Sequence, residues 1–185
     1  NQSRFVVFDT PASERPVSQE PNYPQPTVLT RIDTPWTVTF QSEMRGPSAP
    51  HTFSTLTDWS KNQDDAIKYY AGMATYTNTF NLDNLPQENV YLDLGRVMVM
   101  ARVFVNDQYA GGVWTCPYRV PVTQFLKQGQ NDIRIEVVNN WRNRLIGDAR
   151  LPESERKTYA TVNPYDANSS LQESGLLGPV CLMKY

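Results

Sequence analysis

Two short stretches of this chain crowd together aromatic rings, guanidinium groups and carboxamides, the groups with which proteins grip polyhydroxylated ligands. The first is Trp114-Thr115-Cys116-Pro117-Tyr118-Arg119, and the second is Asn140-Trp141-Arg142-Asn143-Arg144-Leu145-Ile146-Gly147-Asp148. An indole or a phenol stacks its apolar face on a pyranose ring and keeps one hydrogen-bonding edge. An arginine fork reaches a hydroxyl or a carboxylate. The candidate carbohydrate-binding residues are therefore Trp114, Tyr118, Arg119, Trp141, Arg144 and Asp148. A plain structural role competes for each of them. Trp114 and Tyr118 would cap a core, and Trp141 is expected inside one. Arg119 is expected in an ion pair with Asp148. Arg144 is a second partner for Asp148, within the loop or across a domain interface. The second stretch reads as a loop folded by its own hydrogen bonds.

Catalytic groups are scarce. The single histidine, His51, lies between Pro50 and Thr52 and is expected in a solvated loop. A Ser-His-Asp or Cys-His arrangement would have to use it, and no nucleophile-elbow motif accompanies it. Two distant cysteines and one histidine do not make a zinc site. Gly175-Leu176-Leu177-Gly178 has neither the spacing nor the lysine of a phosphate loop. Glycoside hydrolysis needs two facing carboxylates. Asp58, Asp64, Asp65, Asp148, Glu153 and Glu155 are available, each expected to be solvated or to cap a turn. No catalytic residue, metal ligand or cofactor is expected. A structural calcium held by backbone carbonyls would leave no trace in the sequence.

Strands must hold the two stretches in place. Val90, Leu92 and Leu94 alternate with Tyr91 and Asp93; Ala101, Val103 and Val105 repeat the pattern. Ile133, Ile135 and Val137 alternate with Arg134 and Glu136, and Trp36, Val38 and Phe40 with Thr37 and Thr39. Tyr76, Asn78 and Phe80 stand between Thr75, Thr77 and Thr79. A period of two puts one set on the buried face of a sheet. Asn106-Asp107 marks a hairpin reversal, because both side chains tolerate positive φ. Single helical turns are expected near Asp58 to Ile67 and at Thr123 to Lys127, and a final strand near Gly178 to Met183. Little helix remains, so the fold class is all-β, a sandwich. Strand spacing leaves a jelly roll and an immunoglobulin-like arrangement open. Pro11, Pro16, Pro21, Pro24, Pro26 and Pro35 make residues 1–35 an extended segment with one short strand at Phe5 to Phe8. Residues 36–185 form the sandwich.

At 185 residues the chain fits one domain that buries about 70% of its unfolded surface, enough for a core without staples. A net charge of −2 gives no basic face for nucleic acid. No apolar run reaches the roughly 20 residues that span a bilayer, so neither nucleic acid nor membrane is expected as a partner. The first residue is Asn1, which fits a processed product or a fragment. Cys116 and Cys181 are expected as buried thiols.

Taken in order, several motifs resemble the C-terminal region of the α-L-rhamnosidases of glycoside hydrolase family 106. They are Asp93-Leu94-Gly95, Val103-Phe104-Val105-Asn106, Trp114 to Val120, Asn139 to Asp148 and Ser174 to Val180. More distantly, they resemble the sugar-binding β-sandwich of family 2 glycosidases. The resemblance implies a galactose-binding-like jelly roll that serves as an accessory module. Its partners would be carbohydrate and the catalytic domain of a parent glycosidase, with the acid and base in that separate barrel. It also implies that Trp114 to Arg119 approaches substrate, and that the setting is periplasmic or secreted. A free-standing carbohydrate-binding module and a pure interface scaffold are the alternatives.

Overall fold

In the computed structural model, residues 7–9, 11 and 25–185 are described. Ten of the strands form two antiparallel sheets whose inner faces share one apolar core. The larger sheet has six strands. In spatial order they are β3 (His51–Phe53), β2 (Trp36–Phe40), β4 (Met73–Leu82), β10 (Gly129–Val138), β7 (Met100–Val105) and β8 (Gln108–Val113). Facing it are β1 (Thr27–Arg31), β12 (Cys181–Lys184), β5 (Val90–Asp93) and β9 (Arg119–Pro121). A short pair, β6 (Arg96–Met98) and β11 (Gly175–Gly178), forms a third, two-stranded sheet. This is the β-sandwich that the alternation predicts.

The alternating residues fall where a period of two puts them. Val38, Val90, Leu92, Val103, Ile135 and Val137 are wholly buried, while Thr37 and Thr39 face solvent. At the β7–β8 reversal Asn106 and Asp107 have φ of 49° and 62°, the left-handed pair that a two-residue hairpin demands. Asp58 caps a 3-10 turn and Asp64 caps the short helix α1 (Asp65–Lys68), accepting from the backbone N–H of Ser60 and Ala66. The core also holds a polar knot. The Trp59 indole donates to the Tyr76 hydroxyl at 2.6 Å, and the Leu176 N–H donates to the same oxygen at 3.2 Å. That one oxygen ties β4 to the strand leading into β12.

Several expectations need correction. Thr27–Arg31 pairs with β12, and Ile32 is buried, so the sandwich takes in residues that the proline count had assigned to the connector. No proline falls between Pro26 and Pro35, and a strand at the sheet edge needs partners on one side only. The Phe5 to Phe8 strand falls partly outside the described residues; Val7 and Phe8 are exposed and carry no strand. His51 begins edge strand β3, half-buried, with its ring edge-on to Phe40. Cys181 is buried as expected, but Cys116 is exposed. The supposed loop at Arg142–Ala149 is an α-helix, α2. Its composition hid it, with Gly147 a poor helix former and Leu145-Ile146 too brief to show a 3.6-residue period.

Burial raises the Tyr70 and Tyr76 phenols above the ordinary tyrosine range. The folded state therefore favours their neutral forms. That contribution is complete below about pH 10 and is lost as pH climbs past the unfolded-state value. Denaturant titrations followed by tryptophan fluorescence should show stability falling above that pH. Tyr76→Phe should cost about 1–3 kcal/mol at neutral pH, because two buried donors lose their acceptor, and it should shallow the alkaline decline.

Candidate carbohydrate-facing rim

Register brings the two donor-rich stretches to the same end of the large sheet. β10 pairs with β7 so that Val138 lies opposite Met100, and β7 pairs with β8 so that Ala101 lies opposite Val113. Trp114 leaves β8 and Asn139 leaves β10 almost level with each other. Both segments therefore start from one rim.

The 114–119 loop is anchored at both ends. Val113 belongs to β8, and the Tyr118 carbonyl accepts from the Leu94 N–H at 2.9 Å. Tyr118 is half-buried against the core, in keeping with a capping role. Arg119 opposes Asp93 in the β5–β9 ladder, and side chains directly opposite share a face. Its Nε donates to Asp93 Oδ2 at 2.6 Å and its Nη1 to the Tyr185 hydroxyl at 2.8 Å. The hydrogen bond to Asp93, together with that carboxylate's charge, raises the Arg119 pKa further despite partial burial. The expected partner, Asp148, is therefore replaced by Asp93, which cross-strand register selects. Trp114, held between these anchors, is 71% exposed.

The second stretch fastens the long segment that follows it. Asn143 donates from its side chain to the Gln172 carbonyl at 2.6 Å and accepts from the Gln172 N–H at 2.8 Å. Asp148 Oδ2 accepts from the backbone N–H of Lys157 and Thr158 and from the Thr158 hydroxyl. Gly147 lets α2 lie on the Tyr69 ring, since a Cβ there would meet Tyr69 Cγ at 2.7 Å. Ile146 is wholly buried. Trp141, expected in the core, is 51% exposed just before the helix. It lines an open cavity with Leu145 and the exposed Tyr159.

Arg144 and Asp148 are both buried, at 7% and 2% exposure, and line one cavity of about 220 Å³. The ion pair expected between them is not among the salt bridges of the described residues. Arg144 Nη2 and Asp148 Oδ1 each lack a hydrogen-bond partner there. Desolvation lowers the Arg144 pKa, with the Asp148 charge opposing it. Sequence reasoning missed Asn143, Gln172 and Asp93 as the groups that set this rim. An asparagine inside a donor-rich run was the available signal for the first. Among the described residues, no cluster of three His, Cys, Asp or Glu side chains is arranged to hold a metal.

The arrangement is a sandwich with two decorated segments at one end, and known proteins share the sandwich fold. A family model for the glycosyl hydrolase 2 galactose-binding domain-like family matches residues 54–171. The chain belongs to that family. A protein of Formosa agariphila that carries a beta-glucuronidase name is 35% identical, over 85% of this domain and 15% of its own length. The solved rhamnosidase from Novosphingobium sp. PP1Y superimposes with a TM-score of 0.83 at 33% identity, covering 90% of this domain and 16% of that chain. A β-glucuronidase from Ruminococcus gnavus shares the fold, with a TM-score of 0.62 at 17% identity over 92% of this domain and 30% of that chain. The galactose-binding-like domain thus spans about one sixth of the first two proteins.

Exposure separates the parts of this rim. Trp114→Ala should change unfolding free energy in urea by no more than about 0.5 kcal/mol. Gly147→Ala should cost about 1–3 kcal/mol by forcing α2 off the Tyr69 ring. The same urea titration, followed by circular dichroism, reads both.

Proposed function

We propose that this chain is a non-catalytic accessory module of a rhamnosidase-like glycoside hydrolase. It packs against a catalytic domain carried elsewhere in the parent protein and presents the Trp114–Arg119 loop towards bound carbohydrate. The observation that carries the reading is the exposed Trp114 indole, on a loop anchored at one end by β8 and at the other by the Arg119–Asp93 ion pair. An exposed indole offers an apolar face to a sugar ring, and a loop pinned at both ends lowers the ordering cost of binding. The small share of each glycosidase that the domain spans supports a supporting role, with bond cleavage performed by the larger remainder. The names of those relatives support carbohydrate as the ligand class.

A second surface suits the packing role. Trp141, Tyr159 and Val162 are all largely exposed, and Trp141 and Tyr159 share a cavity beside α2. Exposed apolar groups gathered in this way mark contact surfaces.

In the complete glycosidase, Trp114→Ala should lower kcat/KM by about tenfold, equivalent to one aromatic–sugar contact of ~1.4 kcal/mol, with an unchanged melting temperature. The 185-residue chain alone should not hydrolyse an aryl rhamnoside. Hydrolysis by the chain alone would overturn the reading. Unchanged kinetics in the Trp114→Ala enzyme would remove the loop from it.

A further inference from the structure

The cavity beside α2 makes an electrostatic demand that the described residues leave unmet. Arg144 is 7% exposed, yet its Nη2 has no hydrogen-bond acceptor among the described residues. Asp148 is 2% exposed and has spent Oδ2 on three donors, leaving Oδ1 without a donor among the described residues. A buried polar group without a partner costs about 1–3 kcal/mol, and more when it is charged. Both atoms belong to side chains lining the same space of about 220 Å³, several times the roughly 30 Å³ that one water occupies.

The charges around that space are unequal. Arg45, Arg144, Arg150 and Lys157 face it, against Asp65 and Asp148. Arg45 stands close enough to Arg144 for the two guanidinium groups to repel each other. The lining therefore attracts an anion, while Asp148 Oδ1 refuses a bare one and accepts a hydroxyl hydrogen. A group that carries a carboxylate beside a hydroxyl answers both conditions. Its carboxylate takes the Arg144 fork and its hydroxyl donates to Asp148 Oδ1.

The geometry points to a binding site for an acidic sugar, a saccharide bearing a carboxylate, in the cavity between α2 and the 157–158 segment. It is separate from the Trp114 loop and does not require that loop to face substrate. Asp148 then has two tasks, holding Lys157 and Thr158 with one oxygen and the ligand with the other.

The test is an NMR titration of the ¹⁵N-labelled chain at fixed ionic strength with sodium D-glucuronate, D-glucose and sodium acetate. Glucuronate should give saturable shifts centred on Arg144, Asp148, Arg150 and Lys157, with glucose and acetate at least about tenfold weaker. Arg144→Gln should abolish the shifts. Arg45→Ala, at an exposed residue whose loss leaves the core intact, should weaken binding severalfold if Arg144→Gln fails to fold. Trp114→Ala should leave the titration unchanged, so this site and the rim loop fail independently. Absence of saturable shifts would overturn the assignment. So would acetate or glucose binding as tightly as glucuronate, or glucuronate binding that is indifferent to Arg45→Ala.

Discussion

The pairing of β4 with β10 is the constraint on which the rest depends. Ten residues of each strand run in unbroken register, from Gly129 opposite Leu82 to Val138 opposite Met73. Tyr76, Ile133, Ile135 and Val137 enter the core from this ladder, and Thr75, Thr77 and Arg134 leave it. A slip of one residue would exchange those faces and put threonine and arginine inside. The buried set therefore selects a single register. That register levels Val138 with Met100, and β7 in turn levels Ala101 with Val113. The position of both rim segments is thus a consequence of core packing two strands away.

The rim itself divides two jobs by burial. The loop that starts at Trp114 is short, pinned at each end, and leaves its largest side chain in solvent. The segment after β10 does the opposite. It coils into α2, buries Asn143, Arg144, Ile146, Gly147 and Asp148, and spends the Asn143 carboxamide and one Asp148 oxygen on the chain that follows. Residues 150–174 contain only one 3-10 turn and no strand, so their backbone groups need partners from elsewhere. Asn143 supplies both a donor and an acceptor to Gln172, and Asp148 supplies an acceptor to two successive N–H groups. A carboxamide and a carboxylate on one short helix thereby replace a sheet ladder.

What the sequence disclosed follows from which interactions are local. Strand faces repeat every second residue, so Val90-Leu92-Leu94 and Ile133-Ile135-Val137 announce themselves, and Asn106-Asp107 announces its own turn through tolerance of positive φ. Partners across the fold leave no such mark. Nothing near Arg119 in the chain points to Asp93, 26 residues away, because only the β5–β9 register brings them together. Trp141 was expected in the core on residue type alone, yet the last core position before it is taken by Val137, and the chain has already left the sheet at Asn139. α2 was hidden for a related reason. Its stability comes from tertiary contacts of Ile146 and Gly147, and its apolar residues are too few to draw a stripe. The edge strand β1 was masked by the prolines before it, although none falls within Thr27–Arg31.

Burial at α2 separates structural from ligand-directed polarity. Asn143 is 2% exposed, and both ends of its carboxamide are engaged, so its polarity is fully accounted for by the fold. Arg144 is almost as buried, and among the described residues its Nη2 has no acceptor. If its task were only to fill space under the rim, an uncharged side chain of similar volume would do so without desolvating a guanidinium. The lowered Arg144 pKa expresses that desolvation directly, and the nearby Arg45 adds to it. Asp148 lies between these cases, with one oxygen satisfied by the following segment and the other without a donor among the described residues. A helix serving only as a staple would need Asn143, Gly147 and half of Asp148. The charge on Arg144 and the second oxygen of Asp148 are the part of the motif that the fold alone does not require.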